Sequence, residues 1–219
     1  MKQDLAIIFD LDGTLLDTEL LIRKSFEHAF KQYLPDYKLS EEEYLSFLGP
    51  TLQDSFSRYF DDQKIIDDII DCYREYNHSH HEDYVTIYPY VKETLEMLKN
   101  KGYPLAVVTS KYSVAAYIGL DLFEITPYFD IVLGCDHVTN VKPDPEGIIK
   151  AMQQLSCTKA IYIGDNISDI LAGKNAHVYS VGVNWTPKGT KEIEELNPDF
   201  MLNQMDELIE FVERVNENG

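Results

Sequence analysis

The chain has 219 residues, 44% of them hydrophobic and 26% charged, with a formal net charge of -19 at pH 7. That leaves room for a sizeable core in one or two domains, and the negative surplus argues against nucleic acid or an anionic membrane as partner, since both require basic surface. No stretch is apolar enough to span a bilayer, Asp10 and Asp12 interrupt the first apolar run too early for a signal peptide, and Cys72, Cys135 and Cys157 read as reduced thiols, so a soluble cytoplasmic protein is expected.

Residues 6–9 (AIIF) form an unbroken apolar run that ends in Asp10-Leu11-Asp12 and Gly13-Thr14. Such a run reads as a buried strand, and carboxylates at its end need compensation. The interval 15–88 holds no convincing strand and several helical patterns. Ile22, Phe26, Ala29, Phe30 and Tyr33 make one stripe, and Ile65, Ile66, Ile69, Ile70 and Tyr73 another. Ser40 with Glu43 reads as a capping box, and Gly49-Pro50 breaks the block. His78, His80 and His81 stand beside acidic residues at its far end and read as a solvated helix end.

From there strands and helices alternate. Strands are expected at 103–110, 129–134, 159–165 and 178–183, and helices at 90–102, 145–155 and 167–176. Alternation predicts a parallel sheet with right-handed crossovers. The helical block becomes an inserted α-helical domain, giving 1–14 with 89–219 as core and 15–88 as insertion. Cys135 with His137 has no visible partner and is assigned to structure. Trp185 is read as packing, close to the carboxyl edge of the sheet.

In such a sheet ligands gather at the carboxyl ends of the strands. Those ends deliver Asp10 and Asp12, then Thr109 and Ser110, then Lys142-Pro143, then Asp165 with Asp169 four residues on. Each has an ordinary explanation when taken singly: a cap, a loop or a helix surface. Their occurrence in order, each after its own apolar strand, does not. Hard oxygen ligands without His or Cys suit Mg²⁺. A metal, a lysine and a hydroxyl with neighbouring amides can hold a phosphoryl group while a carboxylate attacks it.

"FDLDGTLLDT", "VVTSK", "KPDP" and "IGDNISD" resemble, in order, the four motifs of the haloacid dehalogenase-like (HAD) phosphatases. "GPTLQDSF", "GVNWTPKG" and "PDFMLNQMDEL" are similar to the phosphoglycolate phosphatases and the HPr-linked pyrophosphatase within that family. The resemblance implies an α/β fold, a doubly wound, Rossmann-like parallel-sheet core with a helical cap inserted after the first motif, and a Mg²⁺-dependent phosphatase working through an aspartyl-phosphate. It implies Asp10 as nucleophile and Asp12 as general acid/base that also offers its backbone carbonyl to the metal. Thr109 would bind phosphoryl oxygens, with Ser110 beside it, and Lys142 would neutralise charge. Asp165 would ligate Mg²⁺, supported by Asp169 and Asn166, so Asp10, Asp12, Asp165 and Asp169 form the expected metal set. The presence of Asp12 argues against dehalogenation. A small phosphorylated metabolite such as phosphoglycolate or pyrophosphate is the expected substrate, with Arg23, Lys111 and the Gly49-Pro50 loop setting specificity. The alternatives are a phosphomutase of the beta-phosphoglucomutase type and a non-catalytic phospholigand-binding relative. A monomer or weak homodimer is expected.

Overall fold

The computed structural model describes residues 3–217. The chain falls into two compact units, one built from the segment up to Leu16 together with Ile87 onwards, the other from Asp17–Thr86. In chain order it forms β1 (Leu5–Phe9), β2 (Leu16–Asp17), α1 (Glu19–Tyr33), α2 (Glu41–Ser46), α3 (Leu52–Phe56), α4 (Gln63–Ser79), α5 (His81–Tyr84) and β3 (Thr86–Ile87). There follow α6 (Val91–Asn100), β4 (Leu105–Val108), α7 (Ser113–Leu122), β5 (Ile131–Leu133), α8 (Glu146–Leu155), β6 (Lys159–Gly164), α9 (Ile167–Asn175), β7 (Tyr179–Val183), α10 (Lys191–Glu195), β8 (Phe200–Leu202) and α11 (Glu207–Glu217). The two-residue strands β2 and β3 pair with each other where the chain leaves the first unit and returns to it.

The first unit is a six-stranded, all-parallel sheet of order β5-β4-β1-β6-β7-β8. Its strands are apolar throughout because both faces are covered. On one face Ala6, Ile8, Ala106, Val108, Leu133, Ala160 and Tyr162 pack with Ile148, Ala151 and Leu155 of α8 and Ala172 of α9. Residues of opposite parity, Ile7, Phe9, Val107, Ile161 and Ile163, are fully buried as well. The chain winds outward from β1 through β4 to β5, then returns to β6 on the other side of β1. The order therefore reverses between β1 and β6, and in open sheets of this kind ligands bind in the crevice at the carboxyl ends of the strands at such a point. The sixth strand, β8, and the helices α7, α10 and α11 escaped the reading of the sequence, and the two-residue strands β2 and β3 fall within 15–88, where no strand was expected.

The second unit is helical and closes on its own aromatic core. Phe26, Ala29 and Phe30 of α1 pack with Ile66, Ile69, Ile70 and Tyr73 of α4, joined by Phe47 and Phe56. Phe26 and Phe47 stack with centroids 4.0 Å apart. Ile65 lies outside this core, exposed at 39%, so it drops out of the expected stripe. The histidine cluster also departs from expectation. His78 is exposed, but His80 stacks on Tyr76 with centroids 4.0 Å apart. His81 is buried with its Nδ1 3.2 Å from the Asn77 carbonyl. The turn between α4 and α5 folds both rings inward, so a solvated helix end describes His78 alone.

Glu43 ties the α2 region together. Its carboxylate accepts from the Ser40 amide at 2.7 Å and from the hydroxyls of Tyr37 and Tyr59. These donors, the Ser40 amide foremost, pull its pKa from the usual 4.5 to about 2. A carboxyl acidified by folding stabilises the native state above its unfolded pKa, and the contribution fades as pH falls from about 4.5 through about 2. Glu43→Gln should therefore lower the melting temperature at pH 7 and flatten its decline in that acid window. Parallel melting profiles of variant and parent against pH would contradict this.

Candidate active site

β1 delivers Asp10 to the crevice, where its amide donates to the Ile163 carbonyl of β6 at 2.8 Å. β6 delivers Asp165 beside it, and α9 begins immediately afterwards with Asn166 as N-cap. The Asp169 carboxylate reaches back to accept from the Asn166 amide at 3.0 Å, a capping box that fixes this side chain under the strand ends. On the other side of β1, Thr109 follows β4. Its Oγ1 accepts from the Lys111 amide at 3.2 Å. Lys142 arrives from the loop before α8, which Asn175 tethers through a 2.9 Å hydrogen bond to the Pro143 carbonyl.

These residues meet. Lys142 Nζ lies 2.9 Å from Asp10 Oδ1 and 2.6 Å from Asp169 Oδ1. The Tyr162 hydroxyl reaches the Val108 carbonyl at 2.9 Å and Asp169 Oδ1 at 3.2 Å. Asp10, Asp165 and Asp169 are all buried, and each places a carboxylate oxygen within 4.8 Å of the other two. The Asp12 carboxylate is not in this group. It accepts from Lys111 Nζ at 3.0 Å instead, apart from the rest of the expected metal set.

Lys142 in direct contact and the exposed Lys188 do not balance three buried carboxylates. Burial, opposed by Lys142 and aided by Asp169 and Asp12, pushes the Asp10 carboxyl up to about 6. Burial, with Asp169 and Asp10 adding repulsion and Lys188 and Lys142 opposing it, pushes Asp165 up to about 8. For Lys142 burial disfavours the charge, but Asp10 and Asp169 outweigh it and hold the ammonium well above its ordinary range. Asp10 Oδ1 meets Lys142 Nζ at 2.9 Å, so this oxygen is shared between the lysine and the acidic cluster. A crowded, oxygen-only, undercompensated carboxylate set fits a small hard dication such as Mg²⁺.

Gly13 makes this crowding possible. Its φ is +80°, and a Cβ there would stand 2.4 Å from Asp165 Oδ2. Gly13→Ala should cost about 1–3 kcal/mol in backbone strain. By displacing Asp165 it should also lower kcat/KM by about a hundredfold. Unchanged kinetics in this variant would show that the Gly13–Asp165 approach is not required.

The specificity candidates are placed differently. Arg23 is not a spare cation: its guanidinium forks onto Glu41 at 2.6 and 2.5 Å, contacts Glu19 at 3.2 Å and covers the Tyr44 ring. Its charge is spent inside the helical unit. Lys111 is engaged with Asp12. Ser110 is half-buried beside Thr109. Gly49, with φ 107°, turns the exposed chain between α2 and α3. Cys135–His137 is a 3-10 turn in which the Gly134 amide donates to His137 Nδ1 at 3.2 Å, a structural role as expected. Trp185 packs on Tyr88 with centroids 5.7 Å apart. The sequence reading missed Tyr162 beneath the site and Thr186, whose Oγ1 donates to Asp165 Oδ2 at 3.2 Å. The carboxyl end of β7, inspected as the other strand ends were, points to that loop.

The family model for haloacid dehalogenase-like hydrolases matches residues 7–183. A relative named pyrophosphatase PpaX from Bacillus cereus (strain Q1) is 40% identical over 213 residues, covering 96% of this chain and 97% of the relative. Another of the same name from Bacillus mycoides (strain KBAB4) is 39% identical, covering 96% and 98%. Among solved structures, a haloacid dehalogenase-like family hydrolase from Streptococcus pneumoniae superposes with a TM-score of 0.82 at 26% identity, covering 94% of this chain and 97% of that one. Among the described residues no helix is long and apolar enough to cross a membrane.

Proposed function

The chain belongs to the haloacid dehalogenase-like hydrolases, and on that premise we propose that it hydrolyses inorganic pyrophosphate through an aspartyl-phosphate on Asp10, with Mg²⁺ bound. Phosphoglycolate, equally small and doubly anionic, is the nearest competitor. The observation that carries the chemistry is the Asp10 carboxylate, held beside Lys142 at the point where the strand order reverses. The names of the relatives favour pyrophosphate.

Asp10, Asp165 and the Asp12 carbonyl would hold the cation, with Asp169 braced behind them. When bound, Mg²⁺ supplies positive charge that favours the ionised carboxylates and neutralises phosphoryl oxygens. An ionised Asp10 oxygen attacks phosphorus, and the bond to the leaving phosphate breaks. Asp12 gives that phosphate a proton. It then takes a proton from water as the water attacks phosphorus, releasing the second phosphate and restoring Asp10. Lys142 offsets the charge of Asp10 and the phosphoryl group throughout, and Thr109 binds the phosphoryl oxygens with Ser110 beside it. Lys111 orients Asp12 through their ion pair and adds charge for the substrate. The helical insertion, with its turn at Gly49, is assigned the role of a cap that selects the substrate.

Phosphate release from pyrophosphate, phosphoglycolate and an aryl phosphate, compared at saturating Mg²⁺, tests this reading. Pyrophosphate should lead the aryl phosphate by at least about tenfold in kcat/KM. Lys111→Ala should penalise the two doubly anionic substrates more than the aryl ester, whereas Arg23→Ala should leave their ratios unchanged. An aryl phosphate turned over as well as pyrophosphate would overturn the substrate assignment.

A further inference from the structure

Asp165 stands between two features that constrain the same oxygen. From below, Gly13 leaves no room for a Cβ beside Oδ2. From the side, Thr186 donates its hydroxyl to Oδ2 at 3.2 Å. Thr186 is buried, in the loop after β7. The backbone that carries Thr186 is held by bonds that do not involve Asp165. The Asn184 amide donates to the Leu202 carbonyl of β8 at 2.8 Å, and the Gly189 amide to the Thr186 carbonyl at 3.3 Å. Pro187 follows Thr186 directly and narrows the backbone choices of the residue before it.

We propose that Thr186 is a positioning residue, whose hydroxyl sets the plane of the Asp165 carboxylate and so preforms the cation site. The proposal rests on Asp165 being a metal ligand, as in the reading above. A carboxylate already tied through one oxygen loses less rotational freedom when a cation binds. Partners of this outer kind are worth about 10- to 100-fold in metal affinity. The role is distinct from chemistry: among the described residues the hydrogen-bond partner of the Thr186 hydroxyl is Asp165, not Asp10 or Lys142.

The test is a direct titration with Mn²⁺ alone, followed by the electron paramagnetic resonance of the free ion, in the full-length protein and in four variants. Thr186→Val keeps the volume and removes the donor, and it should weaken Mn²⁺ binding by about tenfold or more. Thr186→Ser and Thr186→Ala both lose the methyl and differ only in the hydroxyl. Ser should stay within about threefold of the parent while Ala falls as far as Val. In kinetics, the Mg²⁺ concentration for half-activation should rise in Val and Ala, while kcat at saturating Mg²⁺ changes little. Merely structural damage would lower the melting temperature and kcat in Ser and Ala alike. Equal affinities for Ser and Ala, or a Val variant within about twofold of the parent, would overturn the proposal. Asp165→Asn separates it from the underlying reading: retained Mn²⁺ binding there would overturn Asp165 as a ligand, and the role of Thr186 with it.

Discussion

Asp10→Asn should reduce pyrophosphate hydrolysis by about four to six orders of magnitude, the scale of losing a covalent nucleophile. The amide nearly matches the carboxylate in shape but has no anionic oxygen with which to attack phosphorus. The protein should not suffer otherwise. The Asp10 carboxyl is held up at about 6 by burial and by its acidic neighbours, so its ionised form is unfavourable in the folded, metal-free state. A carboxyl with a raised folded-state pKa costs stability once pH exceeds its unfolded value near 3.8, and the cost is fully developed above about 6. At pH 8 in chelator the Asn variant should therefore unfold at a temperature no lower than the parent. Loss of activity together with an unchanged or raised melting temperature separates a missing nucleophile from a damaged fold. Residual turnover within tenfold of the parent, with deamidation excluded by mass spectrometry, would remove Asp10 from the mechanism.

Removal of divalent cation is expected to have the next largest effect, a loss of about a thousandfold. Three buried carboxylates against Lys142 and the exposed Lys188 leave excess negative charge where an anionic substrate must bind. Excess chelator should abolish phosphate release, and Mg²⁺ should restore it. Ca²⁺ should bind the same oxygen set and inhibit. It takes roughly 6–8 ligands at longer distances than Mg²⁺, so it can engage both oxygens of Asp10 and leave none aligned for attack. Full activity in chelator, or equal rates with the two ions, would contradict the account.

The carboxylates and hydroxyl of the candidate site were legible in the sequence where they end apolar strands, while Lys142 comes from a loop and Asp169 from α9. Asp10, Thr109 and Asp165 follow β1, β4 and β6, and parallel pairing of those three neighbours brings the residues together whatever the details of the loops. Fully buried strands carry the strongest signal available to a short segment. β8 is three residues long and lies at the sheet edge, so it offers no run to detect. α7 is missed for the opposite reason: SVAAYIGL is apolar all round and shows no helical period. The pairing of Arg23 with Glu41 joins residues 18 positions apart on different helices, and no local pattern encodes it. Thr186 is similar. Its contact with Asp165 depends on how β7 registers against β6, with Gly164 facing Gly182. His81 shows a composition argument failing, since a polar ring is buried once its Nδ1 finds the Asn77 carbonyl.

The central claim is that phosphate passes through the Asp10 carboxylate. Enzyme in excess over ³²P-labelled pyrophosphate, quenched in acid during a single turnover, should carry label on protein in step with the first equivalent of free phosphate and lose it as the second equivalent is released. The Asp12→Asn variant should accumulate more of it, because the water that discharges the intermediate then lacks its base. Reduction with borohydride should convert the acyl phosphate to homoserine, found by peptide mass spectrometry at position 10. Free phosphate appearing with no labelled protein in either enzyme, or label mapped to another residue, would contradict the account.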